Sequence, residues 1–211
     1  DPVAVHPGET STKYLLVANE DVAMLGNDGV NEAVAPDDVC AADVVDADHV
    51  HLTGQRGDTA ERLAAIAVDA GCSVSLDPGR RAGDRALDGV VDRADVVFGT
   101  DREIAALSTD DQPAAAEADR LVVATSGAGG ARCLDGDGGC SHPGFAVDVA
   151  DTSGAGDAFV AGFLSVWLED GGDLDRALAV GNACGAIASR RVGARADLDL
   201  EAVESLCGAR E

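Results

Sequence analysis

Lysine is almost absent from this sequence. Lys13 is the only one, and the 15 basic residues are otherwise arginine, against 39 aspartates and glutamates, so the 211 residues carry a net charge of −24. A basic face for phosphate backbones is therefore excluded, and nucleic-acid binding with it. The same charge excludes an anionic membrane surface as a partner, and no apolar run approaches the ~20 residues of a spanning helix. Aromatic residues make up only 3%, so Ala, Val and Leu must fill the core. The six cysteines (40, 72, 133, 140, 184 and 207) contain no C-x-x-C pair and no disulfide framework. They read as buried free thiols of a reducing, cytoplasmic compartment, with a Cys133–Cys140 bridge across a turn as the alternative. The Asp135-Gly-Asp137-Gly138 run between them lacks the later ligands of a calcium loop and reads as a turn.

What is present is 46% hydrophobic and 26% charged, a globular composition in a chain long enough to bury most of its surface. A uniformly acidic surface repels itself at ordinary ionic strength, and at ~1 M salt the Debye length of about 3 Å screens that repulsion. The charge thus predicts a halophilic protein that weakens when salt is removed. The sequence opens on Asp1 and its only methionine is Met24, which predicts that an N-terminal segment precedes it in the full protein.

Strand and helix patterns alternate along most of the chain. Residues 12–18 and 22–25 read as a pair of strands. Strands are expected at 49–53, 73–76, 95–98 and 121–125, with helices at 59–70, 85–93 and 102–107 between and after them. Further strands are expected at 131–134 and 146–149, antiparallel at one edge. Two long helices follow at 156–168 and 174–190, the first apolar nearly all round and so buried, the second lined with small residues. Residues 200–206 form a last helix. The order predicts an α/β fold with three αβα layers, a mainly parallel sheet flanked by helices.

The chemistry concentrates at Asp151-Thr-Ser-Gly154-Ala155-Gly156-Asp157-Ala-Phe159, between a strand and the most buried helix. Glycines 154 and 156 permit a sharp turn and close approach of a ligand to the main chain. The first amides of the helix lack intrahelical acceptors and carry the positive end of its dipole, which makes a backbone anion site. Asp157 sits beside it, where a carboxylate can take a proton next to a bound phosphate. A tight turn with a helix-start aspartate is the competing reading of the same spacing. The run is neither a dinucleotide fingerprint, since Phe159 holds the third glycine's place, nor a P-loop, since no Gly-Lys-Ser/Thr occurs.

Residues 151–159 resemble the C-terminal signature of the ribokinase-like (PfkB) carbohydrate kinases. Thr125-Ser-Gly127-Ala-Gly-Gly130-Ala131 resembles the family's Thr-x-Gly-x-x-Gly-Ala nucleotide segment, and Asp95 to Glu103 its strand followed by Asn-x-x-Glu, with Thr100 in place of the Asn. Residues 182–194 resemble its Asn-Ala-Ala helix ending in Gly-Ala, and Gly29-Val30-Asn31 a Gly-Ala-Asn that follows the lid strands. The resemblance implies remnants of a small β lid, with lid strands and a return to the core over 1–35 and a nucleotide-binding and catalytic core over 36–211, and transfer of the γ-phosphoryl group of ATP to a sugar hydroxyl. Asp157 would be the base, and Gly154, Ala155 and Gly156 the anion hole. Thr125, Gly127 and Gly130 would contact the nucleotide, with Asn182 near the adenine. Glu103 would hold Mg²⁺ through water, and Asp151 with Ser153 and the 193–194 loop would hold a monovalent cation such as K⁺. A small-molecule sugar is the expected partner, and the lid strands are the expected contact of a homodimer. The same superfamily offers a nucleoside or vitamin kinase as the alternative, and a non-catalytic nucleotide- or sugar-binding relative is a third reading. The family's sugar-contacting Gly-Gly-x-x-x-Asn segment is not in this sequence. Asp77-Pro-Gly79-Arg80-Arg81 resembles the Asp-Pro-Asn-x-Arg of its sugar-acid kinases. His49 and His51 share one strand face and read as structural.

Overall fold

The computed structural model describes residues 7–18, 21–107, 120–135, 138–170, 172–195 and 197–208. The chain forms two compact units, Asp1–Asp95 and Val96–Glu211.

In the first unit β1 (Thr12–Ala18) and β2 (Asp21–Asn27) form an antiparallel ribbon in full register from Thr12↔Asn27 to Ala18↔Asp21. Tyr14, Leu16 and Leu25 stand exposed on it. Short 3₁₀ turns follow at Gly29–Glu32, Pro36–Asp38 and Ala41–Asp43. In the last two, the third residue's carboxylate accepts the backbone N–H ahead of the turn (Ala35 N to Asp38, 2.8 Å; Cys40 N to Asp43, 2.7 Å), so part of the acid-rich stretch over 37–48 closes turns. β3 (His49–Thr53) and β4 (Ser73–Asp77) pair in parallel. They are linked by α1 (Gly57–Ala70), which buries Ala60, Ala64, Ile66 and Ala67 and ends at Gly71 in the left-handed conformation, φ 84°. The expected helix over 85–93 is shorter. Residues Gly79–Asp84 form a 3₁₀ turn and α2 spans only Asp88–Val91.

The polar face of the β3–β4 pair is a side-chain ladder. His49 lies between Ser73 Oγ (Nδ1, 2.7 Å) and Ser75 Oγ (Nε2, 2.7 Å), and His51 Nδ1 meets Ser75 Oγ at 2.8 Å. The histidines are structural members of the sheet, and no cluster of three or more metal-ligating side chains exists among the described residues. Near the start of the ribbon's return, the Asp28 carboxylate takes both Lys13 and Arg81, while Glu32 takes Arg81 (3.1 Å) and Arg85 (2.6 Å). The second arginine of the Asp-Pro-Gly-Arg-Arg loop thus faces acids, and Arg80 is exposed.

The second unit begins with β5 (Val96–Thr100), α3 (Asp101–Ala106) and β6 (Leu121–Thr125), with β5 and β6 parallel from Val96↔Leu121 to Thr100↔Thr125. The antiparallel edge is present but is built differently from expectation. β7 (Ala131–Asp135) pairs with β6 and with β8 (Gly138–His142), whereas 146–149 forms no strand. Gly139 permits the pairing, because a Cβ there would lie 2.5 Å from the Cys133 carbonyl. Cys133 and Cys140 face each other across the ladder without forming a disulfide. The turn expected at 135–138 includes residues 136–137, which lie outside the described residues.

Helices α4 (Ala155–Asp170), α5 (Leu174–Ser189) and α6 (Leu200–Gly208) complete the unit. Phe159, Val160, Phe163, Leu164 and Val166 of α4 are buried with Val96, Phe98, Leu121 and Val123 of the strands. Phe163 meets Phe98 edge-on, with ring centroids 5.3 Å apart. The expectation of an α4 buried all round is met on one face only: Gly156, Asp157, Ala161, Ser165 and Leu168 are exposed along the other. The small residues of α5 act as anticipated. A Cβ on Gly181 would lie 3.0 Å from the ring and the carbonyl of Phe159, and one on Gly185 would lie 3.1 Å from the Ala155 carbonyl. α5 therefore backs the first turn of α4 at close range, which fixes where that turn points.

Candidate active site

Four groups singled out in the sequence lie in the second unit. The first is the turn into α4. Gly154 has φ 75°, and a Cβ on it would stand 2.3 Å from the Ala194 carbonyl, so only glycine fits beneath the 193–195 loop. The Asp151 carboxylate clasps the same two segments, accepting the Ser153 N–H (2.9 Å) on one oxygen and the Gly193 N–H (2.9 Å) on the other. Those hydrogen bonds, Gly193 first, hold its pKa below the usual carboxylate range. The Ala155 N–H donates to the Thr152 carbonyl at 3.2 Å, so one of the three expected anion-hole amides is already engaged. Beside Gly156 the space is open. Asp157 follows in the first turn of α4, exposed, with no hydrogen bond or ion pair among the described residues.

The second group is the glycine turn between β6 and β7. Ser126 N–H donates to the Gly130 carbonyl (2.8 Å) and Gly130 N–H to the Gly127 carbonyl (3.0 Å), which folds 126–130 into a compact loop. Gly127 (φ 55°) faces open space, whereas a Cβ on Gly130 (φ 83°) would run into the His142 carbonyl at 2.0 Å. Thr125 Oγ1 donates to the Gly99 carbonyl at 3.4 Å.

The third group is the start of α3. Thr100 caps the helix, its Oγ1 accepting the Glu103 N–H (3.3 Å), and Glu103 Oε2 accepts the Thr100 N–H and O–H, both at 2.8 Å. One carboxylate oxygen of Glu103 is thereby fixed while the side chain stays half-buried. A single carboxylate suits a magnesium ion that keeps most of its water and shares phosphate oxygens, so the donor set fits Mg²⁺.

The fourth is Asn182 on α5. It is buried, and its Nδ2 donates to the Leu178 carbonyl one turn earlier (2.7 Å). One N–H of its amide is therefore taken within its own helix.

Sequence reasoning did not single out Asp101. Its carboxylate accepts Ser126 Oγ–H (2.8 Å) and pairs with Arg132 Nη1 (2.5 Å), joining the start of α3 to the glycine turn. The parallel register of β5 and β6, Thr100 against Thr125, puts 101 beside 126, but that register is not readable before the strands are paired.

Comparison with known proteins gives the chain's family. The family model of the pfkB family carbohydrate kinases matches residues 1–201. The ATP-dependent ribose-1-phosphate kinase of Halopiger xanaduensis is 49% identical over 209 residues, covering 98% of this chain and 70% of that protein. The Arabidopsis thaliana protein described as probable fructokinase-5 is 34% identical over 153 residues, covering 61% of this chain and 46% of that one. Among solved structures, an E. coli ribokinase II in complex with ATP and Mg²⁺ superposes with a TM-score of 0.79 at 23% identity, over 94% of this chain and 71% of its own. With a match over nearly its whole length, this chain belongs to the PfkB family of carbohydrate kinases, ATP-dependent sugar phosphotransferases with the ribokinase-like three-layer α/β fold.

Proposed function

We propose that Asp157 is the base of an ATP-dependent sugar kinase whose acceptor is a sugar phosphate of the ribose 1-phosphate kind. The observation that carries the base assignment is the position of Asp157: exposed, unpaired among the described residues, and in the first turn of α4 beside the two glycines. The acceptor class rests on the Halopiger xanaduensis relative.

In this reading the acceptor hydroxyl oxygen forms a bond to the γ-phosphorus of ATP as Asp157 takes its proton. The bond from that phosphorus to the β–γ bridging oxygen breaks, and ADP leaves with the electron pair. The amides at the start of α4, with Gly154 and Gly156 keeping the backbone bare, face the charge on the moving phosphoryl group. Residues 125–130 hold the nucleotide, and the open space beside Gly127 is where a ligand can approach. Glu103 holds Mg²⁺ through water. When bound, that ion offsets negative charge on the phosphate oxygens. Asp151 and Ser153, with the 193–194 loop, would hold K⁺. Asn182, on α5, would lie near the adenine. Two copies pair through the β1–β2 ribbon, in support of which Tyr14, Leu16 and Leu25 are exposed.

The test is a coupled ADP-release assay on the full-length protein in molar KCl, with ribose 1-phosphate, ribose, fructose and a nucleoside as acceptors. Ribose 1-phosphate is expected to give the highest kcat/KM. Asp157→Asn should lower kcat by about 10²- to 10⁴-fold while ATP binding persists. Full activity in that variant removes the base assignment, and preference for a nucleoside removes the acceptor class.

A further inference from the structure

The turn at 126–130 and the start of α3 that carries Glu103 belong to different connections, and the proposed function puts nucleotide on one and Mg²⁺ on the other. Three side-chain ties run between them: Thr125 to the Gly99 carbonyl, Ser126 to Asp101, and Arg132 to Asp101. Asp101 is the hub, because one carboxylate receives both the loop's own hydroxyl and the first arginine after it. Ser126 lies one residue beyond the last ladder pair, Thr100↔Thr125, so the Asp101 contact extends the strand connection past the sheet where main-chain pairing has stopped. The other flank of the turn is fixed by Gly130 against the His142 carbonyl.

We infer that Asp101 is a positioning residue for nucleotide binding, holding the 126–130 turn at a set distance from Glu103 through Ser126 and Arg132. It touches neither the reacting atoms nor the acceptor. The Arg132 and Asp101 side chains are 43% and 50% exposed and Ser126 is exposed, and ion pairs open to solvent contribute little to stability. The consequence should therefore appear in nucleotide affinity rather than in the melting temperature.

The inference rests on residues 125–130 being the nucleotide segment, and the experiment separates the two. In the full-length kinase, Asp101→Ala should raise KM for MgATP by about five- to tenfold, with kcat and acceptor KM changed by less than about twofold and the melting temperature by less than about 2 °C. Asp101→Asn, which can still accept from Ser126, should recover part of the loss. Ser126→Ala combined with Asp101→Ala should add little to Asp101→Ala alone, since both cut the same tie. Gly127→Asp, a residue tolerant of that left-handed backbone, places a carboxylate in the open space and should raise the MgATP KM further. If Gly127→Asp raises KM while Asp101→Ala does not, the positioning role is wrong and the nucleotide assignment stands. If neither moves it, both are wrong. An Asp101→Ala effect shared equally by acceptor KM and kcat also overturns the inference.

Discussion

At the scale of single residues, Gly154 is the position where backbone and site are least separable. Its φ of 75° already disfavours any side chain, and the Ala194 carbonyl occupies the place a Cβ would take. Gly154→Ala should cost about 1–2 kcal/mol from the backbone alone, with more from pushing back the 193–195 loop that Asp151 clasps. The expected outcome is a lower melting temperature together with at least about a tenfold fall in kcat, since a small misplacement of the first α4 turn is enough to lose alignment. A fully active variant of unchanged stability would show that the loop yields freely. The Gly154 turn was legible from the 151–159 run, because glycines and a helix-start acid carry local meaning. Asp101 was not, because its meaning depends on a partner 25 residues away.

At the scale of elements, the β3–β4 pair carries a pH dependence. Burial pushes the His49 imidazole below its ordinary 6.5, with the charge of Asp95 pulling the other way. The groups facing it are Ser73, Ser75 and Asp95, with His51 beyond Ser75. A lowered pKa means the unfolded chain takes up the proton first as pH falls. The stability His49 contributes is complete above 6.5 and is lost as pH drops from there toward the folded value. Denaturant midpoints at about pH 8 and about pH 5 should therefore differ more in the native protein than in His49→Gln. Equal differences would show that His49 is not responsible. Strands and helices with their own apolar period, such as 49–53, 121–125 and α5, were readable within a residue or two. β8 was not, since Gly-Gly-Cys-Ser-His has no strand-forming character and becomes a strand only because β7 lies alongside it. Residues 146–149 misled for the opposite reason. Their alternation is real, but Val149 is exposed and no ladder forms.

At the scale of the whole molecule, charge dominates. With a net charge of −24, at least that many carboxylates lack a basic partner even if every arginine and Lys13 were paired once. Raising KCl from ~0.1 M to ~2 M should raise both the melting temperature and kcat/KM as the repulsion is screened. A melting temperature indifferent to KCl would remove the halophilic reading. In the molar-salt sample, light scattering should return twice the mass of one full-length chain if copies pair through the ribbon, and a monomer there would remove that contact.

The opening of α4 gives this charge balance a wider meaning. An electropositive pole made of peptide groups is written into the chain's conformation and not into its choice of side chains. Lysines can be exchanged for aspartates across the exterior without detuning such a pole, so adaptation to brine and retention of phosphate chemistry need not compete for the same positions.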